Sequence, residues 1–246
     1  MNAPLPPPLA ASAVADGALG SAVDSADSAD SADSAGSAGH AAGTAPLRAG
    51  FWASAAADLG RVTGRLAPPE PAHRILIAAL TRRSYRPLFT LRACQALARR
   101  AGWRRLLPLA VVVHRAARHC AGMDLPWATR IAPGVRIDHG WALVVNVAAV
   151  IGSNVTLFHG VTLGQRDRVG RDGSRITGTP VIEDEVWIGP HAVIVGGITI
   201  GRGSRIAAGA FVTSDVPPHS LVIGNPAQNV QQGVAPDVEN AWRAKP

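Results

Sequence analysis

The chain has 246 residues and a formal net charge of +7 at pH 7, a length that allows one large domain or two small ones. Nearly all of the positive charge is arginine, because Lys245 is the only lysine. Cys94 and Cys120 are the only cysteines, and their spacing fits no metal motif. We therefore expect two buried free thiols in a reducing compartment and no disulfide framework.

Membrane insertion and secretion are not predicted. The N-terminus has no basic segment followed by an apolar core, so no signal peptide is expected. The longest apolar runs, Ile75 to Leu80 and Leu106 to Val113, are shorter than the roughly 20 residues that a transmembrane helix needs. We expect a cytoplasmic protein without a transmembrane segment.

Composition divides the chain into four segments. Residues 1–46 are of low complexity, with a proline-rich start and a repeated Asp-Ser-Ala tract, and they offer too little apolar surface to form a core. We predict a disordered tail there, a helical domain over 47–123, a repetitive β domain over 124–230 and a polar tail over 231–246.

The helical domain is predicted from apolar residues that recur at helical spacing. The expected helices run from Leu47 to Leu66, Ala72 to Leu80, Arg86 to Ala101 and Arg104 to Cys120. Prolines separate the first two helices, and Gly102 and Gly122 are expected to end the last two.

This domain is strongly basic, with fourteen Arg between Leu47 and Asp124 against Asp58, Glu70 and Asp124. The arginines fall mainly off the apolar stripes, so we expect most of them on a solvated helix face. Such a surface also suits phosphorylated ligands, anionic lipid or nucleic acid. Nucleic acid ranks last, because the segment lacks interleaved aromatic residues and any nucleic-acid-binding motif.

An aliphatic residue recurs every six positions through the β domain. The recurring residues are Ile131, Ile137, Leu143, Ile151, Leu157, Leu163, Ile182, Ile188, Ile194, Ile200, Ile206 and Val212. Two extra residues follow the Leu143 hexad, and an arginine-rich polar loop, Gln165 to Thr179, interrupts the series. A period of six predicts a triangular β-solenoid of four coils with three hexads each. Accidental spacing in an Ala/Val-rich sandwich is the less favoured alternative.

Three histidines occupy corresponding places in this repeat. His139 and His159 are each third in the second hexad of their coil, and His191 is fourth, so we expect a column along one corner. A histidine beside a carboxylate is a candidate general base. Asp138 adjoins His139 but points to the opposite face of a strand, which makes Asp124 the better partner.

Two other interpretations of the column stay open at this point. A solenoid histidine is often a satisfied turn residue, and three histidines also suggest zinc. The gaps of 20 and 32 residues between them do not match ligand pairs close in sequence, so no metal site is predicted.

Several motifs together resemble the serine acetyltransferases, which are hexapeptide-repeat acyltransferases. The motifs are Met123-Asp124, Ile131-Ala-Pro-Gly-Val-Arg-Ile-Asp-His-Gly140, Ala149-Val-Ile-Gly-Ser-Asn-Val155, Gly160-Val-Thr-Leu-Gly164, Val216-Pro-Pro-His-Ser220 and Gly224-Asn-Pro-Ala227. The resemblance covers roughly residues 85–230. It implies an α+β chain in which a short N-terminal helical domain precedes a left-handed parallel β-helix, an exception to the usual right-handed crossover.

The resemblance also implies catalytic residues. The family uses an Asp-His dyad with the Asp fifteen residues before the His, and Asp124 stands fifteen residues before His139. His139 would then take the proton from the acceptor hydroxyl as it attacks the acetyl thioester, while Asp124 orients it. No covalent acetyl-enzyme is implied.

The remaining implied contacts concern the acceptor and acetyl-CoA, which is the expected co-substrate. Acceptor-binding candidates are Asp138, Glu70 in the Glu70-Pro71-Ala72 turn, His159 and Thr179. The family places CoA in the groove between neighbouring solenoids, which implies a homotrimer. Cofactor-binding candidates are Arg166, Arg175, Gly189, Ala208 and Gly209.

The chain departs from the family pattern near both substrates. Gly164-Gln165-Arg166 stands where the family has Gly-Gly-Thr, and Gly178-Thr179 stands where it has an Arg-His pair. Gln228 replaces a basic residue, and the helical domain is short. The loop arginines are the expected substitutes for the missing phosphate or carboxylate contacts.

Three functions are therefore weighed from the sequence. The first is serine O-acetylation by acetyl-CoA for cysteine synthesis, in a trimer or a dimer of trimers, with cysteine synthase as a possible partner. The second is O-acetylation of a sugar hydroxyl in surface polysaccharide synthesis. The third is a non-catalytic trimeric platform, which the presence of both Asp124 and His139 disfavours.

Overall fold

The structure, a computed structural model, describes residues 49–64 and 71–243. The helices are α1 (Phe51–Thr63), α2 (Ala72–Thr81), α3 (Tyr85–Arg99), a 3₁₀ helix (Ala101–Leu106) and α4 (Leu107–Ala121). No helix within these ranges has both the length and the apolar content needed to cross a bilayer. The predicted tail over 1–46 lies outside the described residues.

Some details of the helical prediction are wrong. The third helix ends at Arg99, and Gly102 lies within the 3₁₀ helix instead of capping α3. Cys120 is exposed, whereas Cys94 is buried as expected. Gly122 does end α4, with a left-handed backbone (φ 66°) that suits glycine.

Sixteen short strands follow in the described residues. The first six are β1 (Arg130–Ile131), β2 (Arg136–Ile137), β3 (Val144–Val145), β4 (Val150–Ile151), β5 (Thr156–Leu157) and β6 (Thr162–Gly164). A hairpin, β7 (Arg166–Val169) and β8 (Arg175–Gly178), comes next. The rest are β9 (Val181–Ile182), β10 (Trp187–Ile188), β11 (Val193–Val195), β12 (Thr199–Ile200), β13 (Arg205–Ile206), β14 (Phe211–Val212), β15 (Ser220–Ile223) and β16 (Gln228–Gln232).

The strands form the three faces of a parallel β-helix. Face 1 contains β1, β4, β9 and β12; face 2 contains β2, β5, β10, β13 and β15, with β16 antiparallel at its end; face 3 contains β3, β6, β11 and β14. All twelve predicted aliphatic positions are at most 3% exposed, because each points into the prism. Four coils of three strands are therefore confirmed.

The two-residue insertion in the first coil lies earlier than predicted. Strand β3 pairs with β6 so that Val145, and not Leu143, stands opposite Leu163. The extra residues fall in the turn between β2 and β3, which contains His139. Leu143 and Val145 are both aliphatic and buried, so spacing alone could not tell which one opens the hexad.

The helices are fastened to the first coil by buried charge. Arg92 on α3 forms a two-pronged ion pair with Asp58 on α1, at 3.0 and 3.2 Å. Asp58 also accepts hydrogen bonds from the backbone nitrogens of Gly134 and Val135, and Arg92 donates to the carbonyls of Ile131 and Ala132. The expectation that the arginines lie on a solvated face is wrong for Arg92.

Arg61 on α1 is the second buried arginine. It donates to the backbone oxygens of Gly134 and Asn154 and to the Thr156 hydroxyl, which lie on the first two coils. Burial and the nearby Arg136 charge lower the pKa of Arg61 to about 10, which still leaves it protonated at neutral pH. Its long side chain thereby joins α1 to two coils.

Removing one partner of the buried pair should destabilise the fold strongly. We expect Arg92→Met to lower the free energy of unfolding by about 3–5 kcal/mol, because Asp58 would keep a buried, unpaired charge. Arg99→Met, at an exposed position on the same helix, should change it by less than about 0.5 kcal/mol. Urea denaturation measures both, and equal effects would contradict the clamp.

His114 on α4 gives the fold a pH dependence. It is buried; its Nε2 atom donates to the Leu125 carbonyl and its Nδ1 atom is hydrogen-bonded to the Thr90 hydroxyl, both at 2.8 Å. Burial lowers the pKa of His114 below the usual 6.5. Below pH 6.5, His114 binds a proton in the unfolded chain but stays neutral in the folded chain until a lower pH. The free energy of unfolding should therefore fall as the pH drops through this range. In His114→Gln this fall should shrink, whereas the exposed His119→Gln should keep it; urea titrations at pH 7.5 and 5.5 compare them.

Candidate active site

The three predicted histidines form a column where face 2 turns into face 3. They follow β2, β5 and β10, and the ring centroids are 6.0 Å apart for His139–His159 and 5.0 Å apart for His159–His191. Each adjacent pair meets edge to face. The column predicted from the spacing is thus present, and we call this edge of the prism the histidine corner.

The middle histidine has an unused polar atom. His159 is partly buried, and its Nδ1 atom is enclosed without a hydrogen-bond partner among the described residues. A buried nitrogen of this kind is uncommon and is usually explained by a ligand or a water molecule. His139 and His191 are exposed on either side, so a ligand at the corner can reach all three rings.

Small residues continue the histidine corner on the fourth coil. The Gly209 nitrogen donates to the Pro190 oxygen, which stacks Gly209 above the His191 turn. A Cβ atom added to Gly189 would lie 2.8 Å from the Ala208 nitrogen, whereas one added to Gly209 would meet nothing within 4 Å. Gly189, Ala208 and Gly209, three of the predicted cofactor-binding residues, therefore lie at the histidine corner, and their lack of bulky side chains leaves the surface next to the histidines open.

Arg83, which the sequence did not single out, holds the turn that carries His139. Its guanidinium donates to the backbone oxygens of Ala121 and His139 and lies 3.9 Å from the centroid of the Trp141 ring. Both His139 and Trp141 belong to the enlarged turn between β2 and β3. The basic composition of the helices was the only sequence signal, and it did not distinguish Arg83 from its neighbours.

Asp124 lies beside the same turn, but its carboxylate is paired with Arg118. The Asp124 backbone forms an extra rung below β3, donating to the Leu143 oxygen and accepting from the Val145 nitrogen. Its side chain bonds to the Arg118 guanidinium at the end of α4. No hydrogen bond between Asp124 and His139 is found among the described residues.

Asp138 faces the outer surface of face 2. Its carboxylate pairs with Arg136 at 2.9 Å, and Arg136 pairs in turn with Glu239 of the C-terminal segment at 2.6 Å. These residues line a small pocket of about 110 Å³ together with Phe158 and Trp187. The predicted tail over 231–246 thus reaches the neighbourhood of a predicted acceptor residue.

The hairpin candidates lie at another corner of the prism. The hairpin leaves the coils between β6 on face 3 and β9 on face 1, so the whole of face 3 separates it from the histidines of its own chain. Arg175 pairs with Asp167 at 2.9 Å, and this contact lowers the pKa of the Asp167 carboxyl. The Thr179 hydroxyl donates to the Ala148 oxygen, and Arg166 is exposed.

Glu70 lies outside the described residues. Within the described ranges, no group of three or more His, Cys, Asp or Glu is arranged to hold a metal ion.

Comparison with known proteins adds independent findings. The family model for the bacterial transferase hexapeptide (six repeats) matches residues 179–214. The soybean serine acetyltransferase complexed with serine is 35% identical, with a TM-score of 0.58, and the match covers 72% of this chain and 68% of that one. The Neisseria gonorrhoeae serine acetyltransferase in complex with serine is 31% identical, with a TM-score of 0.58, over 74% of this chain and 69% of that one.

Curated relatives match over a shorter span. The serine acetyltransferase of Bacillus pumilus is 39% identical over 129 residues, which are 52% of this chain and 57% of that protein. Serine acetyltransferase 4 of Arabidopsis thaliana is 40% identical over 120 residues, 49% of this chain and 32% of that protein. The chain thus spans from about a third to just over half the length of these relatives. With its short helical segment and left-handed parallel β-helix, it belongs to the serine acetyltransferase family.

Proposed function

We propose that the chain is an acetyl-CoA-dependent serine O-acetyltransferase that supplies cysteine biosynthesis in the cytoplasm. The carrying observation is the histidine corner, where an exposed His139 on an enlarged turn stands next to the unpartnered nitrogen of His159. The family membership supports the acetyl transfer, and the soybean and Neisseria gonorrhoeae relatives were each solved as a complex with serine. The catalytic unit is residues 124–230, and a cysteine synthase is a candidate partner.

The reaction needs a base for the acceptor hydroxyl. His139 takes the hydroxyl proton as the oxygen attacks the thioester carbonyl, and a tetrahedral intermediate forms. When this intermediate collapses, the C–S bond breaks, and the protonated His139 returns its proton to the departing CoA sulfur. His159 offers its free nitrogen to the acceptor, and Arg83 fixes the His139 backbone.

Asp124 acts on His139 once it leaves Arg118. A carboxylate that accepts from one imidazole nitrogen sets the tautomer and stabilises the protonated ring. Asp124 and Arg118 are both partly exposed, so their ion pair is weak and exchangeable. The backbone rung already places Asp124 beside the turn that carries His139.

The site is completed by a neighbouring solenoid in a homotrimer. Within one chain, face 3 separates the hairpin from the histidines. In a threefold arrangement, the hairpin of each chain can instead lie beside the histidine corner of the next chain. Arg166, whose guanidinium has no acidic partner among the described residues, and Arg175 then contact CoA phosphates above Gly189, Ala208 and Gly209.

A sugar hydroxyl is the second candidate acceptor. It is favoured by Gly178-Thr179, which stands where the family has a basic pair that contacts the amino-acid substrate. The Thr179 hydroxyl is also occupied, because it donates to the Ala148 oxygen. Asp138 is likewise neutralised by Arg136 in this chain. The chemistry at His139 is the same for both acceptors.

Replacing the proposed base should abolish transfer. We expect His139→Ala to lower kcat/KM for L-serine on the order of 100- to 10,000-fold, the usual contribution of a positioned base. His119→Ala, at an exposed position on α4, should stay within about twofold of the wild type. CoA thiol release measures both, and a panel of sugars in place of serine tests the second acceptor. Transfer that survives in His139→Ala would refute the assignment.

The partner exchange of Asp124 has its own test. Asp124→Asn should lower kcat about 100-fold or more, because the base loses its orienting carboxylate. Arg118→Gln should leave kcat equal to or above the wild-type value, because it removes the competing cation. If Arg118→Gln is as damaging as Asp124→Asn, the ion pair itself is the required contact, and the Asp124–His139 pairing is wrong.

A further inference from the structure

The solvent-facing side of α4 carries an apolar stripe, flanked by the exposed Arg115 and His119, which is unusual for a surface helix. Its inward side contains His114, Ala117 and Ala121. The outward positions, spaced at three and four residues, are Leu109, Val112, Val113, Ala116 and Cys120, and all of them are exposed. Leu109 is 65% exposed. Folding of this chain gains nothing from such a stripe, so it indicates a surface that another component covers.

The stripe continues onto neighbouring elements. Leu80 on α2 is 74% exposed, and a groove of about 360 Å³ joins it to Val113 and Ala116 on α4. Leu76 and Ile77 extend the exposed apolar surface along α2. At the other end, Trp103 and Leu106 of the 3₁₀ helix are exposed just before α4 begins. We call this continuous surface the apolar face.

The charged side chains on the elements of the apolar face are all arginines, and Asp124, which follows α4, pairs with one of them, Arg118. Residues 71–123 contain eleven arginines and no Asp or Glu. Three of these arginines, Arg104, Arg105 and Arg115, are exposed on the 3₁₀ helix and α4. None of the three has an acidic partner among the described residues. The surface therefore combines large apolar side chains, a tryptophan and unneutralised arginines.

Charge decides between the possible occupants. A second copy placed face to face would bring two strongly basic surfaces together, which is unfavourable. The N-terminal residues 1–47 carry five Asp, but no aromatic residue and few large apolar ones, so they match the arginines and not the apolar face. A bilayer of anionic lipid matches both, because acyl chains take up the apolar side chains and headgroup phosphates pair with arginine.

We propose that the apolar face of α2, the 3₁₀ helix and α4 docks the protein on an anionic membrane surface. The helices lie in the plane of the headgroups, with Leu80, Leu109 and Val113 inserted and Trp103 at the boundary, where tryptophan is favoured. The attachment is peripheral, and it is independent of the acetyl-transfer chemistry at the histidine corner.

Flotation of the full-length protein with vesicles tests the proposal. We expect the wild type to float with vesicles of 70% phosphatidylcholine and 30% phosphatidylglycerol, and not with pure phosphatidylcholine. Leu109→Gln combined with Val113→Gln should weaken binding about tenfold or more, since both exposed side chains lose their insertion. Arg104→Gln combined with Arg105→Gln should do the same through lost charge, and 0.5 M NaCl should mimic it.

Matched control variants test whether vesicle binding depends on the apolar face in particular or on any exposed apolar or basic residue. Val230→Gln removes an exposed apolar side chain on β16, and Arg168→Gln with Arg171→Gln removes two charges from the hairpin. These variants should float like the wild type. The rate of thiol release from acetyl-CoA should be the same in Leu109→Gln/Val113→Gln as in the wild type, which would show that the variant folds correctly. An unchanged circular dichroism spectrum provides the same check independently of activity.

Cys120 supplies a native reporter at the edge of the apolar face. It is exposed while Cys94 is buried, so a neutral polyethylene glycol maleimide reacts at one site. Anionic vesicles should slow this reaction, and neutral ones should not. Absence of wild-type flotation overturns the proposal. A second result would also overturn it: Cys120 is labelled slowly in the absence of vesicles, and in Leu109→Gln/Val113→Gln the labelling becomes faster while the mass measured by light scattering halves. That result would show that a second copy of the chain covers the apolar face.

Discussion

The inward stack of aliphatic side chains is the constraint on which the rest of the molecule depends. Each coil places one aliphatic residue per face inside the prism, and successive coils stack at the strand spacing of roughly 4.8 Å. Residues with the same place in the repeat must therefore form columns. His139 and His159 share such a place and His191 lies one position further, so the stack brings the three together without any direct bond between their rings. The site inherits its geometry from the core.

The proposed base lies where the repeat is broken. The turn between β2 and β3 is two residues longer than its counterparts, and it presents His139 beside the Asp124 rung and under the Arg83 contact. A longer turn is less constrained by the stack, so it needs support from outside. That support comes from the helices, which the buried Asp58–Arg92 pair attaches to the same coil. The regular coils are held by the stacked core, and the irregular one carries the proposed base.

The sequence predicts what is local and periodic, and it misses what is distant. Twelve buried positions followed from a spacing of six, because every hexad obeys the same rule. The insertion was misplaced because Leu143 and Val145 satisfy that rule equally well. Arg92 was assigned to solvent because its helix alone does not reveal Asp58, which stands 34 residues earlier on α1. The partners of Asp124 and the contact of Arg83 with His139 are likewise products of tertiary structure.

Arginine serves two different purposes at the described contacts of this chain, and geometry distinguishes them. In the buried Arg61 and Arg92, the planar guanidinium donates hydrogen bonds to several backbone carbonyls at once. A lysine ammonium has fewer donors and is more strongly hydrated, so it suits such a buried position less well. In Arg136 the guanidinium links two carboxylates, so the charge of Asp138 is tied to Glu239 of the C-terminal segment. That segment also reaches Arg61 through the Glu239 carbonyl. A displacement of the C-terminal segment would therefore change both the surroundings of Asp138 on face 2 and the attachment of α1, which couples this segment to the first coil.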